Sequence, residues 1–341
     1  MDGLWDAIQK SWYLLQVIWY QLTFKAHPLP DEVRLEGLTA IVTGSNVGLG
    51  FEAAKELASH GLARLVLAVR DEAKGEAAKA EIAQVAPECD IQVWPLDQES
   101  WTSMVAFAER ARTELDRLDI VLLNAGLKRL NFTRSPTGHE AHVQINYLGT
   151  ALLSLLLVEP LRRTARQTGK PGRMTITASS VAFGVPTRDI EMPQGGKGIL
   201  AWLDDPTSFV PGENRYCLSK LLDVLWTRAL AARLDPADVI VNTLNPGYCR
   251  SSFHRVDPRA ERLSKYIAWS SAEGGYHLTD AAVRHPDSHG AYLSEQRIRP
   301  VSKFVTSAKG KEIQQRLWDE AIALFRDECP QAKIEEFTRG V

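Results

Sequence analysis

Cysteine is scarce in this 341-residue sequence. The four cysteines are Cys89, Cys217, Cys249 and Cys329. None forms a CxxC pair, and four in a chain of this length are too few for a disulfide scaffold. A reducing compartment therefore fits, and a cysteine-based metal site does not. His139 and His142 predict no metal site either, because no carboxylate or cysteine completes the ligand spacing.

An excess of charge of one sign is also absent. The 40 Lys and Arg residues against 42 Asp and Glu residues leave a net charge of −2. This balance excludes a strongly basic nucleic-acid-binding module and an acidic disordered tail. The sequence contains no internal repeat and no low-complexity tract. We therefore expect a folded protein without a nucleic-acid partner.

The sequence lacks an uninterrupted apolar run near its start. Residues 4–24 are rich in apolar and aromatic groups, but five polar residues interrupt them: Asp6, Gln9, Lys10, Gln16 and Gln21. A membrane-spanning helix needs about 20 mostly apolar residues. A signal peptide is not indicated, because a basic start and a small-residue cleavage site are missing. We expect a cytoplasmic protein.

Residues 1–30 are predicted to form an amphipathic helix and a linker, ahead of one domain over 31–341. The apolar residues recur every three or four positions and share one helix face: Leu4, Ile8, Trp12, Leu15, Trp19 and Leu22. Two alternatives stay open for this face. It packs on its own domain or on a partner subunit, or it rests on a membrane surface, which would make the protein membrane-associated.

From residue 38 onward, short apolar strands alternate with helical patterns. Strands are predicted at 38–42, 64–69, 90–95, 119–123, 173–178, 238–244 and near 290–293. Helices are predicted at 51–60, 72–85, 101–115, 140–157, 216–234, 272–284 and 312–325. This alternation predicts an α/β fold of the Rossmann type, a doubly wound parallel sheet with helices on both faces. Ligands of such sheets bind outside the carboxyl ends of the strands.

A glycine-rich loop joins the first strand to the first helix after it. The predicted cofactor-binding residues of this loop are Gly44, Ser45, Asn46, Val47, Gly48, Leu49 and Gly50. Glycines let the backbone approach a ligand, and the helix start offers free N–H groups to a phosphate. The spacing is TGxxxGxG rather than GxGxxG. In a strand–loop–helix context it favours dinucleotide binding over a mere tight turn.

Arg70 stands at the end of the second strand. An acidic residue in this region would bind a ribose 2′-hydroxyl and favour NAD. A guanidinium suits a 2′-phosphate instead, so the sequence predicts NADP(H). The alternative is that Arg70 is a solvated charge beside Asp71.

A YxxxK pattern at Tyr216 and Lys220 provides candidate catalytic groups. Positions i and i+4 share a helix face, and a nearby ammonium lowers the pKa of a phenol. Ser179 and Ser180 lie upstream, at a predicted strand end.

Over about residues 36 to 325, these motifs resemble the short-chain dehydrogenase/reductase family. The resemblance implies a catalytic tetrad of Asn146, Ser180, Tyr216 and Lys220. It also implies cofactor contacts from the glycine loop, Tyr216, Lys220 and these further residues: Asp97, Asn124, Ala125, Gly126, Pro246, Gly247 and Ser251. Leu123 and Ser251 stand where the family commonly has Asn and Thr. The stretches SNVGLG, RYCLSKLL, LNPGYCRS and KGKEIQQRLWDE are similar to a fungal group linked to secondary metabolism and related to retinol-dehydrogenase-like members.

The resemblance implies a role for each tetrad residue. Tyr216 would exchange a proton with a carbonyl or alcohol oxygen, and Ser180 would hydrogen-bond that oxygen. Lys220 would bind the nicotinamide ribose and lower the pKa of Tyr216, and Asn146 would hold a water that links Lys220 to solvent. Relatives often pair through the helices that carry Tyr216 and Asn146, which leaves a homodimer open as an alternative.

Candidate substrate-binding residues surround this site. Between Ser180 and Tyr216 the segment 185–214 reads as a mobile flap, whose apolar patch at 199–203 would close over the cleft. Candidate substrate residues are Trp202, Tyr248 and Trp269, with Phe253 and Tyr266 nearby. These aromatics favour a bulky apolar or aromatic substrate, although packing in the core is the alternative for each. Lys128 and Arg129 would meet an anionic substrate or form a solvated loop edge.

Three functions remain open. The first is an NADP(H)-dependent carbonyl reductase or alcohol dehydrogenase that acts on a bulky secondary metabolite. The second keeps the pocket but performs dehydration, epimerisation or cyclisation without net redox. The third is a non-enzymatic cofactor-sensing protein, against which the complete tetrad argues.

Overall fold

The computed structural model describes residues 15–251, 253 and 256–337. Within them eight strands form one sheet, in the order β3-β2-β1-β4-β5-β6-β7-β8. The strands are β1 Thr39–Thr43, β2 Arg64–Val69, β3 Asp90–Pro95, β4 Ile120–Leu123, β5 Gly172–Thr177, β6 Val239–Leu244, β7 Tyr292–Ser294 and β8 Arg297–Arg299. All neighbours pair in parallel except β7 and β8. The predicted Rossmann-type sheet is confirmed, and its strand order reverses between β1 and β4.

Helices cover both faces of this sheet. The longer ones are α1 (15–23), α2 Gly48–Ser59, α3 Glu72–Val85, α4 Trp101–Glu114, α5 Thr150–Leu156, α6 Val158–Thr168, α9 Asn214–Ala231, α10 Pro258–Ile267, α11 Ser271–Val283 and α13 Ala308–Glu328. Short ones are α7 Arg188–Glu191, α8 Ile199–Leu203 and α12 Lys303–Thr306. 3₁₀ turns span Ser180–Phe183, Gln194–Gly196, Pro206–Ser208 and Glu335–Phe337.

Two apolar cores form because the central strands are buried on both sides. Every residue of β1 and β6 is buried, as expected for parallel strands under helices. One core joins the sheet to α2, α3 and α11. The other joins it to α4, α5, α6, α9 and α13.

The predicted helix 140–157 is divided and longer than expected. It begins as a π-helix at Val143–Gly149 and continues through α5 and α6. Val143–Thr168 is long and apolar enough to cross a membrane, but 89% of its most apolar window is buried inside the fold. It is therefore a core helix. Asn146 lies in the π-helical part, a conformation often found at functional sites.

Helix α10 and strand β8 were not predicted from the sequence. Ser264 is the only residue of α10 that is buried. The helix has ten residues and more than half of them are charged or hydroxylated, so apolar periodicity gave little signal for it. Strand β8 has three residues and lies at the sheet edge.

Segment 185–214 differs from the expected flap. Ile199, Leu200 and Leu203 are at most 4% exposed and belong to the core that includes α13. The backbone N–H groups of Ile199 and Leu200 donate to Glu320 of α13, each at 2.9 Å. The apolar patch thus packs on the C-terminal helix rather than over the cleft, because α13 offers it an apolar face and a carboxylate cap.

The described part of α1 turns its most apolar face outward. Leu15, Trp19 and Leu22 are 60%, 65% and 63% exposed. Gln21 and Phe24 face the protein instead. These three residues therefore do not pack on their own domain, which was one of the two alternatives. Leu4, Ile8 and Trp12 lie outside the described residues.

Candidate active site

The glycine loop follows β1 and lies against the residues that follow β4. Gly44 has φ 65°, and a Cβ there would lie 2.9 Å from Cα of Ala125. A Cβ at Gly50 would lie 2.4 Å from Nδ2 of Asn124. Only glycine permits the positive φ and these two approaches without strain. The loop and the Asn124-Ala125-Gly126 motif therefore meet at the point where the strand order reverses.

Thr43 fixes this meeting point. Its Oγ1 accepts hydrogen bonds from the backbone N–H groups of Asn124 and Ala125, at 2.9 and 3.0 Å. Nδ2 of Asn124 donates to the carbonyl of Thr43 at 3.1 Å. The carboxyl ends of β1 and β4 are thereby held together, where a dinucleotide binds in such sheets.

The loop has the features of a phosphate site. Oγ of Ser45 is buried and has no hydrogen-bond partner among the described residues. A buried hydroxyl without a partner is unfavourable, and a phosphate oxygen would supply one. Val47, the N-cap of α2, provides no side-chain acceptor, which leaves the first N–H groups of that helix for an anion. The residues present thus fit a dinucleotide.

The remaining loop residues have separate surroundings. A Cβ at Gly48 would lie 3.6 Å from Cβ of Ser251, so the segment after β6 approaches the loop. Leu49 packs against Gly274 of α11, and Asn46 is half-buried.

Arg70 and Asp97 lie at the same edge of the sheet, after β2 and β3. The Arg70 side chain is 68% exposed, and its Nη1 is 3.2 Å from Oε2 of Glu99. Asp71 accepts a hydrogen bond from the N–H of Lys74 and caps α3, so its carboxylate is already engaged. Asp97 is half-buried and accepts from the N–H of Glu99 at 2.9 Å. Arg70 is accessible to a ligand there, but it shares the edge with the Glu99 carboxylate.

Helix α9 presents Tyr216 and Lys220. Nζ of Lys220 donates to the carbonyl of Thr177, at the end of β5, at 2.7 Å. It also donates to Oδ2 of Asp223 at 3.0 Å. A Cβ at Gly126 would lie 3.2 Å from Oδ1 of Asn146 and 3.8 Å from Nζ of Lys220. The NAG motif, Asn146 and Lys220 are therefore neighbours.

The pKa of Tyr216 differs in direction from the expectation. Burial raises the pKa of the phenol above its ordinary value, and the nearby charges of Cys217 and Asp223 raise it further. A hydrogen bond with Ser179 opposes this rise. Asp223 pairs with the Lys220 ammonium and is itself among the charges that raise the Tyr216 pKa, so the direction is opposite to the expected lowering.

The two adjacent serines have different surroundings. The Ser179 side chain lies near enough to the Tyr216 phenol to lower its pKa. Ser180 is buried, and its N–H donates to Oδ1 of Asn245 at 3.0 Å. Oδ1 of Asn245 also accepts from the N–H of Gly247 at 3.2 Å. Asn245 thus joins the end of β5 to the Pro246-Gly247 turn. The residue is part of the sequence motif, but its positioning role was not predicted from the sequence.

Asn146 connects the NAG motif to α9. Its Oδ1 accepts from the N–H of Leu127 at 2.8 Å, and its Nδ2 donates to the carbonyl of Leu127 at 3.0 Å. Nδ2 also donates to Oγ of Ser219 at 2.9 Å. The side chain is therefore engaged in structure, and it fixes the floor of the site beside Lys220.

Comparisons with known proteins agree with this geometry. Residues 38–188 match the family model described as short chain dehydrogenase. The chain is 56% identical over 280 residues to the short chain dehydrogenase sol3 of Alternaria solani, covering 82% of this chain and 96% of that protein. The chain belongs to the short-chain dehydrogenase/reductase family. It is also 40% identical over 306 residues to the short chain dehydrogenase/reductase mfmJ of Annulohypoxylon moriforme, covering 87% of each.

Solved structures show the same fold. A short chain dehydrogenase from Burkholderia cenocepacia J2315 in complex with NADP superposes with TM-score 0.58 at 22% identity, covering 76% of this chain and 97% of that one. A 3-ketoacyl-(acyl-carrier-protein) reductase from Brucella melitensis complexed with NADH gives TM-score 0.56 at 21% identity, covering 76% and 96%. The family assignment makes this chain an oxidoreductase by class, and neighbours of its fold hold either nicotinamide cofactor.

Of the aromatic residues predicted to contact substrate in this dehydrogenase/reductase, two are engaged elsewhere. Trp202 contacts Asp189 and Lys197 of its own segment. Trp269 is 9% exposed and stacks on His277 with ring centroids 5.1 Å apart. A Cβ at Gly247 would collide with Trp269 at 2.2 Å, so this ring supports the turn from below.

Two other aromatic residues lie in the segment after the Pro246-Gly247 turn. The Phe253 ring centroid is 5.3 Å from that of Tyr216. Tyr248 is half-buried, and its hydroxyl donates to the carbonyl of Ala260 at 2.5 Å. Phe253 therefore lies beside the phenol, and Tyr248 ties the same segment to α10. The segment that carries these two rings is called the wall below.

Gln21 of α1 holds both ends of this wall. Its Nε2 donates to the carbonyls of Tyr248 and Ile267, each at 3.0 Å, and its Oε1 accepts from the N–H of Tyr248 at 2.9 Å. Sequence reasoning treated Gln21 only as an interruption of an apolar run. Its role depends on contacts more than 200 residues apart, which no local pattern reveals.

Lys128 is buried rather than at a solvated loop edge. Its side chain is 4% exposed, and its ammonium contacts the carboxylates of Glu213 and, at 3.7 Å, Asp257. This ion-pair cluster links the loop after the NAG motif to the start of α9 and the start of α10. With two carboxylates around one ammonium, the cluster is not arranged to attract an anionic substrate.

Proposed function

We propose that this protein is an NADP(H)-dependent oxidoreductase that reduces a ketone or oxidises a secondary alcohol. The observation that carries the proposal is the convergence of Ser179, Ser180, Tyr216 and Lys220 beside the glycine loop, at the carboxyl ends of β1, β4 and β5. The nicotinamide supplies the hydride chemistry when bound. The protein supplies binding, orientation and a proton.

The cofactor would be held by groups along this edge. Ser45 and the N-terminus of α2 would bind the diphosphate, and Asp97 would contact the adenine. Lys220 would hold the nicotinamide ribose with the donor that its two protein hydrogen bonds leave free. Arg70 would bind a 2′-phosphate, which supports NADP(H), since the adjacent Asp71 carboxylate is engaged in capping α3.

The proton would pass at the Tyr216 hydroxyl. In the reducing direction the phenol donates its proton to the carbonyl oxygen, and a serine hydroxyl hydrogen-bonds the same oxygen. The raised pKa of Tyr216 keeps the phenol protonated, as a proton donor requires. Lys220 would stabilise the phenolate that remains.

The substrate would be a bulky apolar or aromatic small molecule, in keeping with a role in fungal secondary metabolism. Support comes from the rings around Tyr216, namely Phe253 at 5.3 Å and His142 at 6.5 Å between centroids. The relatives named above are fungal. The test is a panel of ketones and pathway intermediates with NADPH. Loss of NADPH together with formation of an alcohol supports reduction, whereas conversion at constant NADPH would support the non-redox alternative.

We further propose that this cytoplasmic enzyme touches an anionic lipid surface through α1 and α10. Leu15, Trp19 and Leu22 are exposed along α1. Gln21 hydrogen-bonds Ile267, so the end of α10 is adjacent. The exposed residues of α10 include Leu263, Tyr266 and three cations against the single acid Glu261: Arg259, Arg262 and Lys265. Apolar and aromatic residues flanked by cations suit an anionic interface.

Vesicle sedimentation tests this contact. The protein should sediment with vesicles of phosphatidylcholine and phosphatidylserine, and less with phosphatidylcholine alone. Trp19→Gln with Leu22→Gln should abolish sedimentation, whereas Val85→Gln, which alters an exposed apolar residue on α3, should not. A homodimer that forms through this face and dissociates in the double variant, as seen by light scattering without vesicle binding, would overturn the membrane proposal.

A further inference from the structure

Asp223 is a buried carboxylate beside the site for which the tetrad assigns no role. It lies three residues after Lys220 on α9, and the two side chains are 2% and 6% exposed. Its Oδ2 accepts from Nζ of Lys220 at 3.0 Å. The second acceptor of the same ammonium is the carbonyl of Thr177, at 2.7 Å. The Lys220 ammonium is therefore held between α9 and the end of β5.

A buried ion pair is weak as a stabilising device. The loss of hydration of both charges offsets much of their attraction, so such pairs are often replaceable by apolar residues. Here the cation is the residue that the proposed function assigns to the cofactor ribose and to Tyr216. The position of Asp223 beside this cation points to a role in the reaction.

We propose that Asp223 is a positioning residue for the reaction, whose carboxylate fixes the Lys220 ammonium and reduces the positive charge that Tyr216 experiences. This inference rests on the proposed function. The carboxylate holds Lys220 ready for the ribose without a rearrangement of its side chain. As a counter-ion, it also keeps the phenol protonated over a wider pH range.

The charges around Asp223 come from several elements. Burial raises the pKa of Asp223 to about 6, and Lys220 opposes the rise. Other titratable or charged groups act on Asp223, Tyr216 or their immediate neighbours. They are Tyr147 of the π-helix, Cys217 on α9, Glu213 at the start of α9, Lys128 in the loop after the NAG motif, and Glu320 of α13. Asp223 is the one in direct hydrogen-bond contact with Lys220.

Two substitutions of Asp223 distinguish its positioning of Lys220 from the effect of its negative charge. Asp223→Asn keeps an oxygen acceptor and removes the charge, whereas Asp223→Leu removes both. NADP⁺ affinity, measured by quenching of tryptophan fluorescence at pH 7.5, should stay within about twofold for Asp223→Asn and fall about tenfold for Asp223→Leu. Asp280→Asn is the matched control, since Asp280 is a buried carboxylate paired with Arg284 and His285 on another helix. It should not change the affinity.

The pH profile tests the charge. With cyclohexanol as probe substrate and NADP⁺, the pKa that governs kcat/KM for oxidation should fall by about one unit in Asp223→Asn, because the phenolate then faces an unopposed ammonium. Asp280→Asn should keep the wild-type profile. An unshifted profile in Asp223→Asn would overturn the counter-ion role.

Wild-type affinity in Asp223→Leu would overturn the positioning role. Circular dichroism and Tm check that each variant is folded, and if Asp223→Leu fails to fold, Asp223→Ala replaces it in the binding assay. A wild-type protein that binds no NADP⁺ would refute the proposed function itself. Wild-type binding with indifferent Asp223 variants would refute only this inference.

Discussion

The cofactor side and the substrate side of this cleft are built in different ways. On the cofactor side, Thr43, Gly44, Asn124 and Ala125 contact one another at the ends of adjacent strands. On the substrate side, Gln21 of α1 holds the wall that contains Tyr248, a residue more than 200 positions away in the sequence. The first side follows from short motifs on a regular sheet. The second depends on contacts between segments that are distant in the sequence, so it can vary without disturbing the cofactor site.

We expect the largest effect from Tyr216→Phe, because Tyr216 lies where the cofactor side and the substrate side of the cleft meet. The change removes the proposed proton donor and keeps the ring packing against Phe253. General acid catalysis contributes about 10²–10⁴-fold, so kcat should fall by about that factor while NADPH affinity stays nearly constant. Steady-state kinetics with fluorescence titration checks both. Turnover near that of the wild type would remove Tyr216 from the mechanism.

Alanine substitutions of the two serines should have the next largest effect. Ser179→Ala should raise the pKa that governs the oxidation profile, because the hydrogen bond with Ser179 holds the Tyr216 pKa down. Ser180→Ala should lower kcat by about 10²-fold with an unshifted profile, if Ser180 binds the reacting oxygen. pH–rate profiles of the two variants, measured in parallel, distinguish these two roles. A shift in Ser180→Ala alone would reverse the assignment.

On the cofactor side, Arg70→Ala should weaken NADPH binding about tenfold and leave NADH binding nearly unchanged. A charged hydrogen bond contributes about 1.5–3 kcal/mol, and the 68% exposure of Arg70 places it at the lower end. Titration with both cofactors is the measurement, and Arg64→Ala on the opposite end of β2 is the control. Equal losses for NADPH and NADH would mean that Arg70 does not contact the 2′-phosphate.

On the substrate side, Gln21→Ala should raise KM for a bulky ketone about fivefold without changing NADPH affinity. Three hydrogen bonds to the wall are lost, each contributing about 1 kcal/mol or less at a half-buried position. Thr23→Ala, an exposed change on the same helix, is the control. If NADPH affinity falls as well, the two sides are not independent.

The smallest change is expected at His139, which joins segment 185–214 to α13. Its Nδ1 lies 2.6 Å from Asp204 and its Nε2 3.0 Å from Glu328. Burial lowers the pKa of His139, but the two carboxylates outweigh burial and raise it overall. The folded protein thus favours the protonated form. This contribution is complete below the ordinary His pKa of about 6.5 and is lost as pH rises through the folded pKa.

Thermal unfolding at a series of pH values tests that sign. Tm of the wild type should fall by a few degrees relative to His139→Gln as pH rises through the folded pKa. The exposed His27 provides a control substitution, His27→Gln, that should leave the pH dependence unchanged. A constant difference between wild type and His139→Gln at all pH values would contradict the protonated bridge.

The cofactor side of the cleft could be predicted from the sequence to a greater extent than the substrate side. The strands and the glycine loop were predictable, because each depends on a short apolar run or on neighbours within one motif. Gly44 and Gly50 are examples, since their spacing already implied close backbone approach. Trp269, Lys128 and segment 185–214 were not, because their surroundings come from distant residues. An aromatic or charged residue in a loop has no periodic signal that tells burial from exposure.

Asp223 lies between these cases. Its spacing from Lys220 was visible, but its burial and its contact with the ammonium needed the fold. The same holds for Asn245, whose contacts with the N–H groups of Ser180 and Gly247 also needed the fold. Sequence patterns thus located the site, and three-dimensional contacts distinguished the residues within it.

Transfer of a deuterium label shows directly whether the protein moves a hydride from NADPH to its substrate. The protein is incubated with a ketone that it converts and with NADPH deuterated at C4 of the nicotinamide, in each of the two stereochemical forms. We predict that the alcohol made with one of the two deuterated NADPH stereoisomers carries deuterium at the carbinol carbon, as seen by mass spectrometry. A product that forms without deuterium from either form, while NADPH is not consumed, would contradict an oxidoreductase that transfers hydride at this site.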